Sequence, residues 1–304
     1  MEYQAHEIIL LFFIYAFLGW CCEVAFAACK QGKFINRGFL NGPVCPIYGF
    51  GVIGVAVALY PVRDNLLMLY LGSVLLTTLI EFVTGYMLER IFHARWWDYS
   101  NMPMNIMGYV CLLFSMIWGL ACLVIVHWLH PWIVAAVQWL PSAVCIILDC
   151  LFGLIFIVDL CATVSAARKL SERLVRLTEL GQELHAISDE IGQTISDKTL
   201  AARQYVRDGE ENFNGQKARI QQQFELKEAQ ISRWLEQQRV QKNERTEEIR
   251  TRFERVRLHI SQTLEEKNFV QRRLLKAFPN LRSEDRQEAL DALRAFIEKR
   301  RNKK

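Results

Sequence analysis

Apolar positions run almost unbroken through the first half of the chain and recur at helical spacing among charges in the second. Five apolar runs in the first half approach the roughly 20 residues that span a bilayer as a helix. They cover about Ile8–Cys29, Ile47–Tyr60 (with Val44–Pro46 lengthening its start), Leu66–Phe92, Ile106–Leu129 and Pro141–Ala166. The stretch Trp132–Leu140 is expected in the membrane interface, with Trp128, Trp132 and Trp139 as an aromatic belt. The first run has no basic segment before it, only Glu2 and Glu7, and reads as a retained span rather than a cleaved leader.

From Ser165 the pattern changes. Leu170, Leu177, Leu184 and Ile191 recur every seven residues, and Leu180 and Ile187 complete a coiled-coil seam. The repeat weakens over Gly209–Gly215 and resumes at Ile220, Phe224, Ile231 and Leu235, then Ile249, Phe253, Val256, Ile260 and Leu264. A continuous helix over 165–276 would reach about 165 Å, whereas a hairpin near 209–215 would halve that and bury its own seam. Pro279 ends the helix; Ser283 is a candidate cap for a short terminal helix with Ala289, Leu290, Leu293, Phe296 and Ile297 on one face. The expected fold is all-α: about five transmembrane helices in 1–166, a long cytoplasmic coiled-coil tail over 167–278, and a short amphipathic basic helix over 279–304.

Charge sharpens this division. Of 36 Lys and Arg residues, 30 lie after residue 164, so the net charge of +4 is about −3 in the first half and about +7 in the second. The tail's charges are mixed in sign, and no nucleic-acid partner is expected. Lys and Arg alternate between loops: none at the N-terminus, three after the first run, one after the second, two after the third, none after the fourth. The positive-inside rule then predicts a multipass plasma-membrane protein with its N-terminus outside and its C-terminus cytoplasmic.

Two polar segments interrupt the apolar half. One is Asn36-Arg37-Gly38-Phe39-Leu40-Asn41-Gly42-Pro43-Val44-Cys45-Pro46-Ile47-Tyr48-Gly49. The other is Trp96-Trp97-Asp98-Tyr99-Ser100 with Asn105 and Gly108. The same rule puts both on the cytoplasmic side. Four acids, Glu23, Glu81, Asp149 and Asp159, lie within the expected spans, where a charge costs about 2.5–3.5 kcal/mol. Helix rise puts Glu23 about 9 Å and Glu81 about 16 Å from the cytoplasmic ends of their spans. Both are reachable by a loop that folds back into the bundle, which is tolerated only where protein or a polar cavity surrounds it.

Arg37 is the expected counter-charge for Glu23, Glu81 or Asp98. The candidate cytoplasm-facing pocket for a substrate or ion comprises Glu23, Asn36, Arg37, Asn41, Tyr48, Glu81, Trp96, Trp97, Asp98 and Asn105. Each group also has a structural reading, as a salt bridge or an interfacial aromatic anchor. Thr77 and Thr84 flank Glu81 on one helical face and are expected to bond it or a neighbouring helix. Asp98, beside two tryptophans, is expected to titrate high. Asp159 is expected to reach toward Arg168 or Lys169; Asp149 has no evident partner.

Other chemistry is thin. All nine cysteines fall in 1–164 with no CxxC pair and no Cys/His ligand spacing, so no metal and no cofactor are expected. Cys45, in the first polar segment, is the one thiol singled out. There is no GxxxxGK[ST], so this chain binds no ATP through a P-loop. Gly49-Phe50-Gly51-Val52-Ile53-Gly54 matches G-x-G-x-x-G but follows Pro46 in an apolar run with no strand before it; it reads as helix packing through Gly54 and Ala58.

Several motifs occur together in order: Gly19-Trp20 with Glu23, the segment Asn36–Gly49, Glu81, Leu88-Glu89, Trp96–Ser100, Asn105 with Gly108, and Trp118-Gly119. This series resembles the CmpB-like family over roughly residues 7–125. The resemblance implies an ABC-transporter type IV permease, a multipass membrane protein that works with a separate ATPase subunit. Three functions are therefore expected in order: a permease-like transport component; a membrane enzyme acting on a lipid or small polar molecule at the inner leaflet; or a scaffold or sensor acting through the tail. The partners are the lipid bilayer, that ATPase, and, through 167–278, a second copy or a cytoplasmic protein.

Overall fold

A computed structural model of the chain describes residues 3–198, 244–266, 268–283 and 285–302. They form two compact units. The first is Met1–Lys169 with Asn268–Arg282; the second is Leu170–Lys267 with Ser283–Lys304.

The first unit is a helical bundle. Helix α1 spans Ala5–Gln31; Gln4 and Glu7 form a capping box at its start, and Gly32, at φ 65°, ends it in the left-handed conformation. Helix α2 spans Pro46–Ala58, and its first residue, Pro46, has no N–H to leave unsatisfied. Helix α3 spans Leu66–Phe92, capped by the Asn65 side chain on Met68 N. The chain then turns through a short antiparallel hairpin, β1 (Asn105–Ile106) with β2 (Val110–Cys111), into α4 (Leu112–Val124). A π-helical turn at Ile125–Leu129 joins α4 to α5 (His130–Trp139). Pro131 is the physical reason: it cannot donate to the carbonyl four residues back, and the wider turn relieves the clash. Helix α6 covers Ser142–Lys198.

Among the described residues, four helices are long and apolar enough to cross a membrane: Ala5–Lys30, Leu66–Phe92, Leu112–Trp139 and the start of Ser142–Ile191. This corrects the expected five. Helix α2 has 13 residues, about 20 Å against a hydrocarbon core of about 30 Å. The residues that lengthened that run, Val44–Cys45, belong to the loop. The fourth span also shifts: 106–111 are hairpin and turn, and Trp132–Trp139 continue the helix rather than leaving it.

Packing follows a polar-inside, apolar-outside rule. On α3 Leu69, Ser73, Thr77, Glu81 and Gly85 are buried at four-residue spacing. Leu67, Leu71, Leu75, Leu79 and Val83 are exposed on another face. Helix α1 repeats the buried ladder with Leu11, Tyr15, Gly19, Glu23 and Ala27, Glu23 being only half-buried. Both helices have 27 residues, and each is followed by a fold-back loop ending in Gly-x-Val-Cys. These are Gly42-Pro43-Val44-Cys45 and Gly108-Tyr109-Val110-Cys111, and each Cys is the N-cap of the next helix. The order helix, fold-back loop and helix thus occurs twice in the bundle, as α1 to α2 and as α3 to α4.

In the second unit Leu184, Ile187 and Ile191 of α6 pack against Ile249, Phe253 and Val256 of α7 (Glu244–Glu265), with Leu180 and Ile260 at the margin. Arg252 reaches Glu190 at 3.3 Å. Arg173 donates to the Thr263 and Leu264 carbonyls at the end of α7, satisfying groups the helix leaves open. The expected break at 209–215 lies outside the described residues. Helix α8 (Phe269–Ala277), which follows α7, belongs to the first unit; α9 (Gln287–Asn302) buries Ala289, Leu290 and Leu293 in the second.

Candidate functional site

The first polar loop does fold back. Cys45 N donates to the carbonyl of Ala16 in mid-α1 at 2.9 Å. Ala16 lies about 22 Å before the end of α1 by helix rise, so the loop descends past most of the helix before α2 begins. Gly19 makes the approach possible: a Cβ there would lie 2.3 Å from Tyr48 Cγ. With the ring flat on α1, Tyr48 Oη donates to Glu23 Oε1 at 2.6 Å. Arg37 Nε stands 3.5 Å from Glu23 Oε2, and its guanidinium lies over the Phe26 ring at 5.3 Å.

Asn36 and Asn41 shape the loop. Asn36 Oδ1 accepts from Trp20 Nε1 and Gly38 N, and its amide donates to the Asn41 carbonyl. Asn41 N and Nδ2, with Gly42 N, converge on the Asp159 carboxylate at 2.7–3.1 Å. The expected reach of Asp159 toward Arg168 or Lys169 is corrected here: the carboxylate is satisfied by loop donors and by Thr163 on its own helix. Burial pushes the Cys45 thiol up to about 12, with the Glu23 charge raising it further and Arg273 opposing.

The second loop behaves in kind. Tyr99 Oη donates to Glu81 Oε1 at 3.2 Å, while Glu81 Oε2 is buried with no hydrogen-bond partner among the described residues. Burial raises the Tyr99 hydroxyl above its ordinary range, and the charges of both Glu81 and Glu23 add to this. Each of the two carboxylates thus has a tyrosine donor, Tyr48 from the first turn of α2 for Glu23 and Tyr99 from the second loop for Glu81. Thr77 and Thr84 do not bond Glu81: their hydroxyls donate to the Ser73 and Ile80 carbonyls of their own helix.

The remaining predicted residues stand apart from that pair. Trp96 is buried among Phe39, Phe92 and Phe278. Trp97 Nε1 donates to the Tyr109 carbonyl, and Asn105 holds its own turn through Gly108 N and the carbonyls of Ser100 and Met102. Asp98 accepts from Ser100 and from Arg282 Nη1 at 2.9 Å. Its expected high titration is corrected. Burial does push it up, but the Ser100 hydrogen bonds and the Arg282 and Arg95 charges outweigh burial, and the net shift is downward.

Sequence reasoning missed three groups. Arg273 of α8 donates to the carbonyls of Gly38 and Phe39 at 2.8 and 2.6 Å and to Asn41 Oδ1 at 3.0 Å. Arg282 exchanges backbone hydrogen bonds with Arg95 as well as pairing Asp98, and Phe278 packs on Trp96. The segment 268–282 thus straps both re-entrant loops. At the other end of the bundle a cavity of about 210 Å³ is lined by Tyr3, Tyr60, Arg63, Asp64, His127 and His130, among others. No signal in the sequence joins residues so far apart.

A protein-family model described as "Putative ABC-transporter type IV" matches residues 10–164, just over half of the chain. No solved structure matches it.

Proposed function

The chain belongs to the CmpB family, the ABC-transporter type IV group, and from that premise we infer that this membrane-embedded protein is a permease-like transport component whose solute path runs past Glu23 and Glu81. The observation that carries this reading is Glu81: a carboxylate 9 % exposed in mid-helix, holding one tyrosine donor and, among the described residues, no cation. A group so costly to bury suits a place where a proton or a small cation is taken up and released. The short helix α2 and the repeated order of helix, fold-back loop and helix support it, because transporters build mid-membrane sites from discontinuous helices and internal repeats.

The solute is a proton, an inorganic cation or a small cationic molecule. The loop-bearing end faces the cytoplasm by the Lys/Arg distribution, and a separate ATPase subunit docks there. The coiled-coil tail provides self-association or a partner site. The enzyme reading has less support: Glu23 and Arg37 pair with each other, whereas Asp98 and Asn105 are spent on Arg282 and on loop backbone. The test is uptake of sodium, potassium and methylammonium into vesicles containing the full chain, with and without a membrane fraction supplying the ATPase. Uptake above protein-free vesicles that is lost in Glu81→Gln supports the reading. No uptake of any of the three, with no proton entry read by an entrapped pH dye, under either condition sinks it.

A further inference from the structure

The cavity of about 210 Å³ at the end of the bundle away from the re-entrant loops is apolar on one side and polar on the other. Its buried side is made by Ala56, Leu69 and Val134. Its exposed side carries Arg63 and Asp64, from the turn between α2 and α3. Tyr3 and His130 line it as well.

The hydrogen bonds of His130 show which way the Tyr3 hydroxyl points. Tyr3 Oη lies 2.8 Å from Nε2 and Tyr15 Oη 2.7 Å from Nδ1. Tyr15 is buried in an apolar cluster with Leu11, Val52 and Val55, and His130 is its one hydrogen-bond partner among the described residues. If Tyr15 accepted from Nδ1, its own hydroxyl proton would be buried without an acceptor, which is the costlier arrangement. Tyr15 therefore donates to Nδ1. The neutral ring then carries its proton on Nε2 and donates it to the Tyr3 oxygen. The Tyr3 O–H, with no other partner among the described residues, is left to donate into the cavity.

Arg63 supplies the second donor. Its guanidinium lies over the Tyr60 ring at 4.4 Å, which orients the planar fork. Asp64 stands 3.7 Å from Arg63, but its side chain is 95 % exposed, so water weakens the pair. Glu7, whose charge also reaches Tyr3, accepts from Gln4 N in the capping box of α1. Burial and the neighbouring Tyr60 raise the Tyr3 hydroxyl above its ordinary value and the Arg63 charge opposes them, which fits two donors facing one small volume.

We propose that this cavity binds a small carboxylate whose apolar body is about the size of one aromatic ring. The carboxylate accepts from the Arg63 fork and from the Tyr3 hydroxyl, and the body rests on Ala56, Leu69 and Val134. The size agrees: an apolar cavity of about 150 Å³ holds benzene, and the remaining volume suits a carboxylate on the polar side. Apolar walls with a few placed donors are what orient a small ligand. The site lies apart from Glu23 and Glu81 and stands whether or not the chain transports a cation.

The test is equilibrium binding of radiolabelled benzoate to the full chain in nanodiscs of zwitterionic lipid. Saturable binding is expected. Benzamide, which lacks the charge, and acetate, which lacks the body, are expected to compete about tenfold more weakly or worse. Arg63→Gln is expected to weaken benzoate binding by about tenfold and Tyr3→Phe by about fivefold. Tyr3→Phe keeps the ring, so it decides alone if Arg63→Gln does not fold. Oleate dissolved in the bilayer offers the same head group from the membrane; its chain exceeds the cavity, and it is expected not to displace benzoate. Absence of saturable binding, benzamide binding as well as benzoate, or unchanged affinity in Tyr3→Phe overturns the site. Displacement by oleate overturns the ring-sized ligand.

Discussion

At the scale of single residues, the site depends on close approach and on how each carboxylate is satisfied. Gly19 is the clearest case. Ala there would put a methyl 2.3–2.6 Å from the Tyr48 ring and lift that ring off Glu23. Gly19→Ala is expected to cost about 1–3 kcal/mol by overpacking, read as a lowered thermal midpoint in detergent. Gly51→Ala, where nothing lies within 4 Å of the added carbon, is expected to leave the midpoint unchanged. Asp98 makes a pH prediction. Its folded value lies below the unfolded one, so its contribution is fully present above the ordinary aspartate value near about 4 and fades as pH falls through the folded value. The midpoints of wild type and Asp98→Asn should therefore differ at neutral pH and converge in acid; a gap that persists at the acid end contradicts the Arg282 pairing. The carboxylates themselves were legible, because an acid in an apolar run has few explanations. Their partners are less so: Tyr48 falls in the predicted pocket with Glu23, whereas nothing in the sequence marks Tyr99 as the partner of Glu81.

At the scale of elements, the re-entrant loops were readable and the strap was not. Two Asn, an Arg and several Gly and Pro between apolar runs signalled irregular backbone that must be surrounded by protein. Helix α2 was overestimated because apolar character continues through Val44 and Cys45, and only Pro46 at its first turn marks where the helix begins. Arg273 lies 232 residues from Asn41, inside a stretch whose charges read as a solvated coiled coil. No local pattern distinguishes an arginine that faces water from one whose fork meets three oxygens of a loop. Arg273→Ala is expected to destabilise the first unit by about 3 kcal/mol, and Arg273→Lys to restore little of it, since an ammonium cannot reproduce the fork. Peptide-level mass spectrometry of maleimide labelling checks this without function. Cys45 should resist labelling at neutral pH in the wild type and react in Arg273→Ala; equal protection in both contradicts the strap.

At the scale of the whole molecule, two copies of one plan make the bundle, and a distant segment holds their loops. The repeat escaped sequence inspection because the loops differ in length, 32–45 against 93–111, which breaks a constant period. Removing residues 171–304 does not isolate the membrane core, because it also deletes the strap; such a truncation is expected to expose Cys45 even if the helices remain. If the solute path runs past Glu81, the buried face of α3 from Ser73 to Glu81 borders it while the neighbouring face meets lipid. Cysteine accessibility tests it most directly. Single Thr77→Cys and Leu75→Cys variants, in a background without native cysteines, are reconstituted and treated with a membrane-impermeant, water-soluble thiol reagent. Modification is expected at Thr77→Cys, slowed by the cation the protein carries, and protection at Leu75→Cys. Equal protection at both positions, or modification at Leu75→Cys alone, would contradict it.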